Sequence, residues 1–186
     1  MEEAYRDIFE GAMVCLICPT ATAAAVITGK LGGSASTLTT YTLLSNVLAA
    51  IAVPLVFPLV EPHADITFVV AFLKILSKVF PLLLAPFFIA LLFRYYIPSV
   101  HRLLSKYHGV AFYLWAVALT IVTGQTVRSL VTAAADVSIE IMIALAGLAT
   151  CCLQFYFGKR IGSAYHDRIS AGQALGQKNT VLAIWM

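Results

Sequence analysis

Two short runs carry most of the polar chemistry embedded in apolar sequence. Gln177-Lys178-Asn179-Thr180 sets two amides, an ammonium and a hydroxyl side by side, and Val181-Leu182-Ala183-Ile184-Trp185 follows at once. Cys18-Pro19-Thr20-Ala21-Thr22 places two hydroxyls around a proline inside the apolar stretch Val14 to Leu38. Hydroxyls, amides and one cation suit the binding of a small charged solute. Bond-breaking chemistry would need a nucleophile beside a base, or a metal pair. No His or Asp pair occurs inside an apolar segment, so the chain does not read as an enzyme. His63, His101, His108 and His166 fall in connecting segments without metal-ligand spacing. Cys15 and Cys18 form a CxxC, but with no His nearby they read as small buried packing residues, not zinc ligands.

The elements that must position these runs are set by composition. Hydrophobic residues make up 61% of the chain and charged residues 11%, with a mean hydropathy of +0.91. Soluble domains carry roughly 25% charged residues, so the chain is predicted to be an all-α integral membrane protein, a polytopic helix bundle embedded in a lipid bilayer. Net charge is +3, and the basic residues cluster between apolar segments, which argues against a nucleic-acid partner. The start, MEEAYRDIFE, is acidic where a cleavable signal peptide is basic.

The apolar pattern predicts one transmembrane domain with spans at about 8–29, 36–60, 66–93, 109–131, 137–157 and 170–186, after a polar lead-in over residues 1–9. The third is too long for one upright crossing at ~1.5 Å per residue. The sixth stops at Met186, partway through a span. Lys30, the connection Arg94 to His108 and the connection Gly158 to Arg168 are basic, whereas Glu61 to Asp65 and Ala133 to Asp136 have no Lys or Arg. Basic connections stay cytoplasmic. One alternating topology in the cell (inner) membrane satisfies all five.

Pro19 has no N–H to donate and its ring crowds the preceding turn. The break it predicts has two readings: a kink in a packed helix, or an opened helix lining a polar cavity, as in transporters. Lys178 also has two: an ammonium snorkelling to the interface, or a cation held at depth beside the break signal Gly176. The first and sixth spans run in opposite directions and each is interrupted, the pattern of inverted repeats whose broken helices cross near the midplane.

Cys18-Pro19-Thr20-Ala21-Thr22-Ala23-Ala24-Ala25-Val26 resembles the Cys-Pro-Gly-Gly-Thr-Ala-Ser-Asn motif on the fourth helix of the bile acid:sodium symporter family. Gly176-Gln177-Lys178-Asn179-Thr180-Val181-Leu182-Ala183 resembles that family's Glu-x-Gly-x-Gln-Asn-Ser-x-Leu-Ala motif on the ninth. The separation, the four intervening spans and the orientation fit, and the likeness covers essentially the whole chain. It implies a ten-helix transporter of two inverted five-helix repeats with broken, crossing helices four and nine. The chain would then be a fragment holding helices four to eight and the first part of nine.

The resemblance implies a secondary active transporter moving a small organic anion, such as a bile acid or a pantothenate-like acid, by alternating access. It places Thr22 and Asn179 at the substrate and Thr42 at a sodium ion. With their neighbours, the expected substrate set is Thr20, Thr22, Gln177, Lys178, Asn179 and Thr180, and the expected ion-coupling set is Thr42, Gln173 and Lys178. The family's Ser-Asn sodium ligands fall on Ala24-Ala25, its helix-five serine on Leu38, its helix-nine glutamate on Ala174 (Gln173 with one insertion) and its glutamine on Lys178. Sodium wants oxygen ligands, so these departures count against sodium coupling of the usual kind, and the hypothesis that follows is that Lys178 stands where the ion would be. No other cofactor is implied, and sodium or a proton is the candidate coupling ion. The rival readings are a cation/proton antiporter, which would carry an aspartate that neither run has, and a non-functional membrane fragment.

Overall fold

The computed structural model describes residues 2–60, 67–107, 109–132, 137–179 and 182. Among these residues the regular structure is entirely helical. Helix α1 (Glu2–Ile17) starts inside the expected polar lead-in, where Arg6 Nε meets Glu10 Oε1 at 3.0 Å across one turn. It stops two residues before Pro19. Helix α2 (Ala24–Lys30) follows the break and ends in a left-handed turn at Gly32 (φ +83°). There the Gly33 amide reaches back to the Thr28 carbonyl at 2.9 Å, closing the helix end in the way glycine favours.

Helices α3 (Ala35–Val60), α4 (Phe68–Tyr96), α6 (Val110–Thr132) and α7 (Val137–Ala164) are each long and apolar enough to cross a membrane. Pro54 and Pro58 fall in the last turns of α3, and Pro81 and Pro86 lie inside α4. Two features depart from the expected pattern. The basic connection after α4 is itself largely helical, as α5 (Pro98–Lys106). Helix α7 continues past Phe157 to Ala164, so Lys159 and Arg160 are helical rather than in a loop. The last apolar segment divides: α8 (Arg168–Gly176) gives way to extended backbone at Gln177. Thr180, Val181 and residues 183–186 lie outside the described residues, as do residues 61–66 and 133–136.

Close approach of α7 and α8 locks the second break in place. A Cβ on Gly158 would fall 2.5 Å from the Ala171 carbonyl oxygen, and one on Gly162 would fall 2.6 Å from that of Asp167. These glycines are four apart on one face of α7, a spacing that lets membrane helices touch through their backbones. One apolar core, including Cys18, Ala50, Val53, Leu83 and Leu182, joins the end of α1 to α3 and α4. A second, of Ala24, Leu38 and Ala174, joins α2, α3 and α8.

The basic connections gather at one end of the bundle. The Ser34 amide donates to Ser170 Oγ at 2.8 Å, tying the α2–α3 turn to the start of α8. Lys30 Nζ lies 4.7 Å from the centre of the Phe112 ring, at the start of α6.

Candidate functional site

The break in the first span leaves a definite set of backbone groups to be paired. In an unbroken helix the Cys15 carbonyl would accept from residue 19, but Pro19 has nothing to donate. Gln154 Nε2 on α7 fills that place at 3.2 Å. The Leu16 carbonyl would accept from Thr20, whose N–H instead turns to Ser45 Oγ on α3 at 3.2 Å. Lys178 Nζ takes the Leu16 carbonyl, also at 3.2 Å. A cation at a helix C-terminus also offsets the negative end of the helix dipole.

The two interrupted segments pair directly with each other. The Ala21 amide donates to the Gln177 carbonyl and the Asn179 amide to the Pro19 carbonyl, both at 2.9 Å. Thr20 and Lys178 are thereby opposite each other in a single antiparallel bridge, between the two flanking hydrogen bonds. Thr20 is 1% exposed, and its hydroxyl donates to the Ala174 carbonyl at 2.7 Å. That carbonyl is the one the Lys178 N–H would have met had α8 continued.

The expected site residues divide into groups. Thr22, Gln177, Lys178 and Asn179 line one cleft of about 610 Å³, with Leu114, Trp115 and Phe155 among its apolar wall. Gln177 Oε1 is buried there without a hydrogen-bond partner among the described residues. Asn179 Oδ1 accepts from the Leu182 amide at 3.3 Å, as a helix N-cap does. Lys178 has three donors, one of which engages Leu16. Thr20 does not line this cleft, because its hydroxyl is turned to α8. Thr180 lies outside the described residues.

Of the expected ion-coupling residues, Lys178 lines the cleft, whereas Thr42 and Gln173 do not. Thr42 is buried on α3, its hydroxyl oxygen without a hydrogen-bond partner among the described residues. Gln173 is half-buried on α8. Ala24 and Leu38 are 0% exposed and Ala174 is 5% exposed, all in the second apolar core with Ala21 and Ala25 packed against it. Among the described residues no group of three His, Cys, Asp or Glu side chains could hold a metal ion.

Gln154 and Ser45 were not singled out by the sequence. Gln154 carried a usable signal, being an amide between apolar residues towards the end of the apolar run of α7. Ser45 carried little, because a serine within a helix can satisfy itself, as Ser45 Oγ partly does by donating to the Thr42 carbonyl at 3.0 Å.

Comparison with family models matches the sodium bile acid symporter family over residues 4–134, more than half of the 186-residue chain. The chain belongs to the sodium bile acid symporter family. Its members are transporters, not enzymes. The match takes in the Pro19 break and the helices through α6, and ends before α7. No curated protein and no solved structure matches the chain significantly. As a member of the sodium bile acid symporter family with four helices suited to crossing a bilayer, the chain is a membrane protein.

Proposed function

We propose that this protein carries a small organic anion across the cell (inner) membrane by alternating access, with Lys178 serving as a built-in cation where relatives would hold sodium. The observation that carries this reading is the apolar core of Ala24, Leu38 and Ala174. By the motif likeness, these are positions at which the family places oxygen ligands for sodium. Three aliphatic side chains packed together offer a hard cation nothing to bind. Four residues after Ala174, Lys178 turns its ammonium to the Leu16 carbonyl, as a cation ligated by backbone oxygen would.

The two paired breaks are read as the crossing helices of an inverted-repeat fold of ten helices. Gathering of the basic connections at one end supports placing that end in the cytoplasm. The cleft then offers an anion the remaining Lys178 donors, the Thr22 hydroxyl and the Gln177 and Asn179 amides, against an apolar wall that includes Trp115. A bile acid and a pantothenate-like acid are the two substrate classes to try first.

Thermal unfolding of the purified protein tests this reading. A ligand that binds only the folded state raises the midpoint with its concentration. The expected result is a shift with an organic anion that is the same in sodium chloride and in choline chloride, and no shift with sodium alone. Stabilisation by sodium alone, or anion binding that needs sodium, overturns it.

A further inference from the structure

Helix α5 (Pro98–Lys106) has none of its residues buried, yet it is sharply two-faced. Val100, Leu103, Leu104 and Tyr107 fall on one side at three- and four-residue spacing, while His101, Arg102 and Lys106 fall on the other. Leu103, Leu104 and Tyr107 each expose more than half their surface, and Tyr95 and Tyr96 expose 73% and 80%. The helix joins α4 to α6, both apolar and long enough to cross a bilayer. If both cross, α5 is held at the bilayer surface by its two ends. The charge is one-sided as well: Arg94, Arg102 and Lys106 are basic, and no aspartate or glutamate occurs between Asp65 and Asp136.

We propose that α5 with its flanking tyrosines is a surface anchor that lies in the bilayer interface and takes anionic phospholipid headgroups on Arg94, Arg102 and Lys106. An amphipathic helix with a basic polar face buries its apolar side among the upper acyl chains and pairs its cations with acidic lipid. Tyrosines collect at that depth because an apolar ring with a polar tip suits it. The occupant is lipid, since a wholly basic segment tethered to the membrane at both ends faces the anionic leaflet directly.

The test uses the full chain in vesicles of phosphatidylcholine with and without phosphatidylglycerol. Single spin labels go in as Leu103→Cys, Leu104→Cys, Tyr107→Cys, Arg102→Cys and Lys106→Cys, with the native cysteines replaced by alanine. The expected result is that oxygen collides more often than a water-soluble nickel complex with labels at Leu103, Leu104 and Tyr107. The order reverses at Arg102 and Lys106. Native mass spectrometry on the chain with its cysteines intact gives a second readout. There Arg102→Gln and Lys106→Gln each lower retention of phosphatidylglycerol roughly fivefold. Nickel access at every site, shielding of the leucines from both probes (a covering protein), or unchanged lipid retention overturns the proposal.

Discussion

Thr20 and Lys178 face each other across the paired breaks, and each side chain completes the helix that the other's backbone left unfinished. The Thr20 hydroxyl bonds Ala174, four residues before Lys178. The Lys178 ammonium bonds Leu16, four residues before Thr20. Each break thus supplies a donor for a carbonyl exposed by the other, so the two segments are expected to open or close together.

Removing the Thr20 hydroxyl separates packing from hydrogen bonding. Thr20→Val keeps the shape and leaves the buried Ala174 carbonyl without its side-chain donor, a loss of about 1–3 kcal/mol. A lower thermal midpoint is expected for Thr20→Val, with near-normal stability for Thr20→Ser. Equal stability of Thr20→Val and wild type would show that the bond contributes nothing.

Gln154 is expected to act on stability more than on recognition. Gln154→Leu fills the same space without a donor for the Cys15 carbonyl. The expected cost is about 1 kcal/mol, within the range for polar contacts between membrane helices. Thermal unfolding measures that loss, and anion affinity measured alongside should stay within error of wild type, since Gln154 does not line the cleft.

Bulk at Gly158 is expected to disturb the site from a distance. Gly158→Leu would drive a side chain into the backbone of α8 at Ala171 and Gly172. Overpacking of this kind costs about 1–3 kcal/mol and shifts backbone. Both the thermal midpoint and the uptake rate should fall. Gly124→Leu on α6, where an added Cβ meets no atom within 4 Å, is the matched control and should change neither.

The breaks were legible in the sequence because their causes are local. Pro19 lacks an amide hydrogen wherever it is placed, and Gly176, which backs onto the Phe155 ring, preceded a polar run in apolar surroundings. The partners of the broken backbone were not legible, because Gln154 and Ser45 reach it from helices far away in sequence. Which face of α7 or α3 meets α1 depends on packing, not on local pattern. Helix α5 was hidden for a different reason: nine residues with three basic or histidine side chains look like a loop until their spacing is taken as helical. The early start of α1 and the late end of α7 follow from helices continuing beyond the apolar stretch into polar sequence.

Thr22 gives the substrate cleft its own test. It is exposed and shares the cleft with Lys178 and Asn179. A hydroxyl bonded to a charged ligand contributes about 1.5–3 kcal/mol. Thr22→Val should therefore weaken anion binding at least tenfold, read by titration, while leaving the thermal midpoint of the unliganded protein unchanged.

The measurement that bears most directly on Lys178 as a built-in cation is uptake of a labelled organic anion by the reconstituted protein in sodium and in choline medium, for wild type and Lys178→Met. Equal wild-type uptake in the two media, with loss of uptake in Lys178→Met, is the predicted result. Uptake that requires sodium and survives Lys178→Met would contradict it.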